Sequence, residues 1–139
     1  MIRTACLGMA ILAGLAGCSS SNSNSGSGTP GNTDLLEEVR GLIGMYSGEH
    51  KKAPRSLADC TKYEAGYPLG FAAVKKGDIV VIWGVKMIVE EGGGSPQGTT
   101  DIVAYEKKTP TEGGSVLLHN GTVKTVTADE FKAAPKAKS

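Results

Sequence analysis

The sequence is poor in the residues on which most catalysis and metal binding depend. Its 139 residues hold two histidines, three cysteines and one tryptophan, and aromatic side chains make up 5%. His50 and His119 are the only imidazole bases, and no Gly-x-Ser-x-Gly elbow is present. A catalytic triad or a thiol dyad therefore has little to draw on. The paired metal spacings His-x-x-x-His and Cys-x-x-Cys are missing. Asp101, Glu90 and Glu91 flank a glycine-rich stretch but lack the alternating oxygen ligands of a calcium loop. Residues 92–98 lack the lysine and hydroxyl of a phosphate loop. Basic excess is absent too. The formal charge is +1, whereas binding nucleic acid needs a positive face that displaces counterions. These absences point away from an enzyme, from a metal or cofactor, and from a nucleic-acid partner.

Long apolar runs are also missing. The apolar run at the amino terminus, Thr4 to Gly17, holds no charged residue and is 14 residues long, whereas a membrane-spanning helix needs about 20. Arg3 precedes it, and small residues close it. A charged start, a short apolar run and a small-residue cut point describe a secretory signal peptide, residues 1–17. Its end, Leu15-Ala16-Gly17-Cys18, resembles the lipobox of bacterial lipoproteins. The resemblance implies cleavage before Cys18, a thioether-linked diacylglycerol on its sulfur and an acylated amino terminus, palmitate among the acyl chains. Cys18 is thus the expected lipid-attachment site, and several acyl chains give stable anchoring. Cleavage leaves 122 residues of formal charge zero. Cys6 leaves with the signal and Cys18 carries lipid. Cys60 is then the one remaining thiol, and no internal disulfide can form.

Residues 18–33 are Ser/Asn/Gly-rich and read as a flexible linker, with a reach of roughly 20 Å. Ser19 and Ser20 follow the lipid site, with no aspartate directly after Cys18. By analogy with well-studied envelopes, this points to the outer membrane. The expected location is the cell envelope, with the head facing the periplasm or the exterior.

The folded domain is expected over residues 34–131, with a polar, frayed tail at 132–139. Leu35, Leu36, Val39, Leu42, Ile43 and Tyr46 recur at helical spacing, and Asp34 with Glu37 reads as a capping box. The helix is expected to end near Gly48. Pro54 stops it, and Ser56 can cap a short helical turn through Cys60. "GFAAVK" and "IVVIWGV" read as strands joined by a turn at Lys75-Lys76-Gly77-Asp78, with "IVVIW" central in the sheet. Residues 86–91 extend that strand or begin another, 92–100 form a loop, and "DIVAYEK" is the next strand. Asn120-Gly121 is a strong hairpin signal. A two-residue loop there pairs His119 with Thr122, Leu118 with Val123 and Val116 with Thr125. Thr127 and Glu130 form a capping box, with Val126 and Phe131 as its hydrophobic staple. Trp83 is expected in the core with Phe71 and Tyr105. The fold class is α+β: one amphipathic amino-terminal helix packed on a small antiparallel sheet, with a short carboxy-terminal helix.

Two stretches resemble the prepilin-type proteins with a His-(nine residues)-Asp-Gly domain, a group with type IV pilin-like heads. The first is Tyr46, His50, Pro54 and Ser56-Leu57-Ala58-Asp59. The second is Gly113-Gly114-Ser115-Val116-Leu117, then Asn120-Gly121-Thr122-Val123 and Thr127 to Phe131. The match covers about half the chain. The group's defining histidine and aspartate are absent, with Pro110 and Asn120 at those positions and Thr122 in place of a second histidine. The resemblance implies a pilin-like head on a lipoprotein tether. The expected function is a membrane-tethered envelope lipoprotein with a non-enzymatic interaction domain that contacts an envelope protein of secretion or pilus machinery. Such a head requires an exposed apolar patch or a free strand edge. The alternative is a small envelope module that binds a glycan or peptide. It requires a concave site containing Trp83 or one of Tyr63, Tyr67 and Tyr105.

Overall fold

The computed structural model describes residues 31–87 and 98–139. The elements run α1 Asn32–His50, a 3-10 helix Leu57–Gly66, α2 Pro68–Lys76, β1 Ile79–Val81, β2 Ile102–Glu106, α3 Thr109–Glu112, β3 Gly114–Leu118, β4 Val123–Val126 and α4 Ala128–Ala133. The four strands form one antiparallel sheet in sequence order. This is the expected α+β class.

α1 forms because its apolar side chains share one face. Leu36, Val39, Leu42, Ile43 and Tyr46 are all buried, and Glu37, Glu38 and Arg40 lie off that stripe. The helix starts earlier than its sequence suggests. Gly31 is the cap, and the Asp34 carboxylate accepts the Gly31 N–H at 3.1 Å. Glu37 is not the capping partner; it pairs with Arg40. α1 runs past Gly48 to His50, and Lys51 ends it in the left-handed region at φ 58°.

α2 replaces the expected strand "GFAAVK". Pro68 occupies the first turn, where its missing N–H costs nothing, and Gly77 closes the helix at φ 81°. The lysine-glycine turn is therefore a helix stop, not a hairpin. β1 is an edge strand of the sheet, not a central one. Ile79 and Val81 are buried on the helix side, while Val80 and Ile82 are only half-buried.

The sheet has apolar packing on both faces. On one, Val81, Ala104, Leu117 and Val123 stand in a cross-strand row beneath Leu36, Val39 and Ile43 of α1. On the other, Ile102, Val116, Leu118 and Val126 pack with Phe131 of α4. A register shift between Ile102 and Ala104 puts Ile102 and Ala104 on opposite faces although they are two residues apart. A third cluster joins Leu42 and Tyr46 of α1 to Cys60, Tyr63 and Phe71.

The β3–β4 hairpin is one residue out of the expected register. Leu117 faces Val123, and Val116 faces Lys124. Leu118 donates to the Thr122 carbonyl, and Gly121 donates back to Leu118. The loop thus has three residues, with only Gly121 at positive φ, which is the bulged alternative to the two-residue turn. The capping box at Thr127 and Glu130 is present as expected, and Val126 and Phe131 share a cluster. The tail does not fray after Phe131. α4 continues to Ala133, and Lys136 forms a parallel bridge to Ile102. Residues 88–97, where the sequence suggests strand and loop, lie outside the described residues, as does everything before Gly31.

α1 and α2 meet at Gly70. A Cβ there would lie 2.6 Å from the Glu38 Cβ and 3.0 Å from the Val39 nitrogen. Helix propensity alone favours Gly70→Ala by about 1 kcal/mol. Overlap with the rigid backbone of α1 reverses that sign. Gly70→Ala is expected to destabilise the chain by roughly 1–2 kcal/mol in denaturant unfolding.

Candidate functional site

Beyond the end of α1 the chain turns sharply. Lys51 reverses its direction, and the Pro54 carbonyl accepts the Gly84 N–H at 2.9 Å. That bond lays the basic segment Lys51-Lys52-Ala53-Pro54-Arg55 against the turn that follows β1. The result is a cleft of about 590 Å³ lined by Lys52, Ala53, Arg55, Trp83, Gly84 and Ser139. Its volume lies within the range of small-molecule sites.

Trp83 is half-buried and packs against both the α1–sheet cluster and the cluster that contains Phe71. It does not meet Tyr105, which stacks on Phe131 at 4.7 Å on the other side of the sheet. Lys52 and Arg55 are exposed, and neither forms an ion pair among the described residues. The Arg55 backbone is fixed by its N–H, which donates to Asp59 at 2.7 Å. Gly84 has φ 86°, and a Cβ on it would come within 2.8 Å of the Ser139 Cβ. Glycine is therefore needed to keep this wall in place. The site combines one partly exposed indole with two cations on a concave surface. It suits the capture of an anionic molecule that also has an apolar face.

Other titratable groups are engaged in holding the fold. Glu49 accepts from Lys62 and, at 2.6 Å, from the Tyr63 hydroxyl. The Lys62 and Tyr63 bonds hold its carboxyl below the usual range, and the same contact pushes the Tyr63 phenol up to about 12. Cys60 is fully buried, with its sulfur 4.0 Å from the Leu42 carbonyl. Burial pushes its thiol up to about 11, helped by Asp59. His50 stacks on Tyr46 at 4.4 Å between ring centres.

His119 is a clamp. Its Nε2 lies 3.0 Å from the Lys86 carbonyl, which can only accept, so Nε2 carries the proton. Nδ1 then accepts from the Thr99 N–H at 3.4 Å. The backbone N–H groups of His119 and Asn120 donate to Asp101 and Thr99. His119 thereby ties residues 86 and 99 to the hairpin turn. His50 and His119 contact neither each other nor Cys60 among these bonds.

Among the described residues, no three His, Cys, Asp or Glu side chains converge as a metal site, and no helix is long and apolar enough to cross a membrane. Cys18, Glu90 and Glu91 lie outside the described residues, and Asp101 is on the edge of the His119 clamp. Sequence reasoning offered Trp83 as a glycan-binding candidate but missed Lys52 and Arg55 beside it. The run of basic residues just after a helix was the available signal.

Comparison with family models, with curated proteins and with solved structures finds no match to this chain.

Two tests follow from these environments. Thiol modification of Cys60 in the folded protein, followed by peptide mapping, is expected to run about 100-fold slower near pH 8 than for an ordinary thiol, since the thiolate is the reactive form. Denaturant should abolish the difference. The lowered Glu49 carboxyl stabilises the fold above the usual carboxylate range, and that contribution fades as pH falls through its depressed value. Glu49→Gln is therefore expected to lower the melting temperature at neutral pH, with the gap to wild type closing in acid.

Proposed function

We propose that the chain is a membrane-tethered envelope lipoprotein with a non-enzymatic, pilin-like interaction head that serves secretion or pilus machinery. The observation that carries this reading is the order of the first segments. Leu15-Ala16-Gly17-Cys18 is followed at once by an uncharged Ser/Asn/Gly stretch, and the folded head starts at Asn32, where that stretch ends. A lipid on Cys18 would hold the head within the linker's reach of roughly 20 Å from the bilayer.

The head offers surfaces of the kind an interaction domain needs. Met45 and Leu69 are the large apolar side chains that stand exposed, at 50% and 45%, among the described residues. A groove of about 330 Å³ runs beside Met45 between α1 and Tyr67. β4 is a terminal strand of the sheet. The long helix laid on an antiparallel sheet is also what the pilin-like resemblance implies. The Trp83 cleft favours a second reading, an envelope module that binds a glycan or peptide.

Metabolic labelling with an alkyne analogue of palmitate tests the tether. Wild type should incorporate label and sediment with membranes, and Cys18→Ser should lose both. A soluble, unlabelled wild type would overturn the proposal. Cross-linking in intact cells then tests the head. Met45→Asp with Leu69→Asp should abolish a specific adduct formed by wild type.

A further inference from the structure

The cleft at Trp83 has a chemistry that can be made more specific. The part of the Trp83 indole that lines the cleft provides an apolar surface of the kind that saccharide rings stack on. Lys52 and Arg55 supply a point charge and a planar fork of donors, and the fork matches the two oxygens of a carboxylate. Both cations are without an ionic partner among the described residues and line the same cleft as Trp83. The cleft is also firmly built, because the Pro54–Gly84 hydrogen bond fixes its two walls relative to each other.

We infer that this cleft binds a saccharide that carries a carboxylate. The sugar ring lies on Trp83, and the carboxylate is held by Lys52 and Arg55. The Tyr67 groove lacks this pairing, since no lysine or arginine lines it. The inference deepens the ligand-binding reading and does not depend on the lipid anchor.

Trp83 is the only tryptophan in the sequence, so its emission reports on the cleft directly. The full-length chain in detergent solution is titrated with N-acetylmuramic acid, with its carboxylate-free parent N-acetylglucosamine, and with inorganic phosphate. Calorimetry is run in parallel. The expected result is a saturable change in Trp83 emission with N-acetylmuramic acid. The affinity should fall by about tenfold or more for N-acetylglucosamine, and likewise for wild-type ligand with Lys52→Gln or Arg55→Gln. Both substituted side chains are exposed, so these variants should keep the wild-type melting temperature. Trp83→Ala should lose the heat of binding as well.

Equal binding of the two sugars would overturn the carboxylate assignment. A phosphate response as strong as that of N-acetylmuramic acid would reduce the cleft to an anion site and overturn the saccharide assignment. Heat of binding with unchanged Trp83 emission would place the ligand elsewhere, overturning this site while leaving the ligand-binding reading intact. Absence of both signals would overturn the inference, and the lipid-labelling result on Cys18 would stand apart from it.

Discussion

Two of the three apolar clusters of this fold are built on the buried stripe of α1. Leu36, Val39 and Ile43 cover one face of the sheet, while Leu42 and Tyr46 enter the cluster made with Cys60, Tyr63 and Phe71. Burying five such side chains contributes on the order of 10 kcal/mol, comparable with the whole net stability of a small domain. The polar edges of the helix follow the same logic. Glu38 accepts the Gly70 N–H at 2.8 Å, Arg40 donates to the Gly121 carbonyl at 3.0 Å, and Glu49 holds Lys62 and Tyr63. One helix thus locates α2, the hairpin turn and the 3-10 helix.

The cleft inherits its shape from that helix. Because α1 is fixed against the sheet, its end fixes where Lys51 turns the chain. The Pro54 carbonyl then reaches Gly84 just past β1, which the sheet holds from the other side. Trp83 packs against two clusters at once. The basic segment is a loop held at one end by α1 and hydrogen-bonded to the turn that follows β1, an arrangement common for recognition loops.

Local patterns were legible, and long-range ones were not. The stripe of α1 and the box at Thr127 and Glu130 are written in spacings of three and four, so the sequence displays them. "GFAAVK" misled because six residues cannot separate strand from helix by periodicity, and Pro68 just before it was the deciding signal. The apolar run of β1 suggested a central strand, yet Val80 and Ile82 are only half covered. At Asn120-Gly121 the pair could have supplied two positive φ angles. Only Gly121 uses one, which shifts the register by one residue. The tail pairs with Ile102 through backbone groups alone, and side-chain patterns carry no record of that. Lys52 and Arg55 lie about thirty positions before Trp83 and meet it only through the fold.

Polar groups on this surface differ in whether the fold engages them. The Glu106 carboxylate is buried and accepts the Ser115 N–H beside the bend at Gly113-Gly114. His119 has a fixed tautomer set by the Lys86 carbonyl and spends its acceptor on Thr99. Cys60 is held neutral by burial. Each of these groups would have to break a structural contact before taking part in chemistry. Lys52 and Arg55 break none when they bind an anion, because their charges face solvent without an ionic partner among the described residues. Lys52 and Arg55 can therefore engage an anion beside Trp83 without disturbing the contacts that hold the fold.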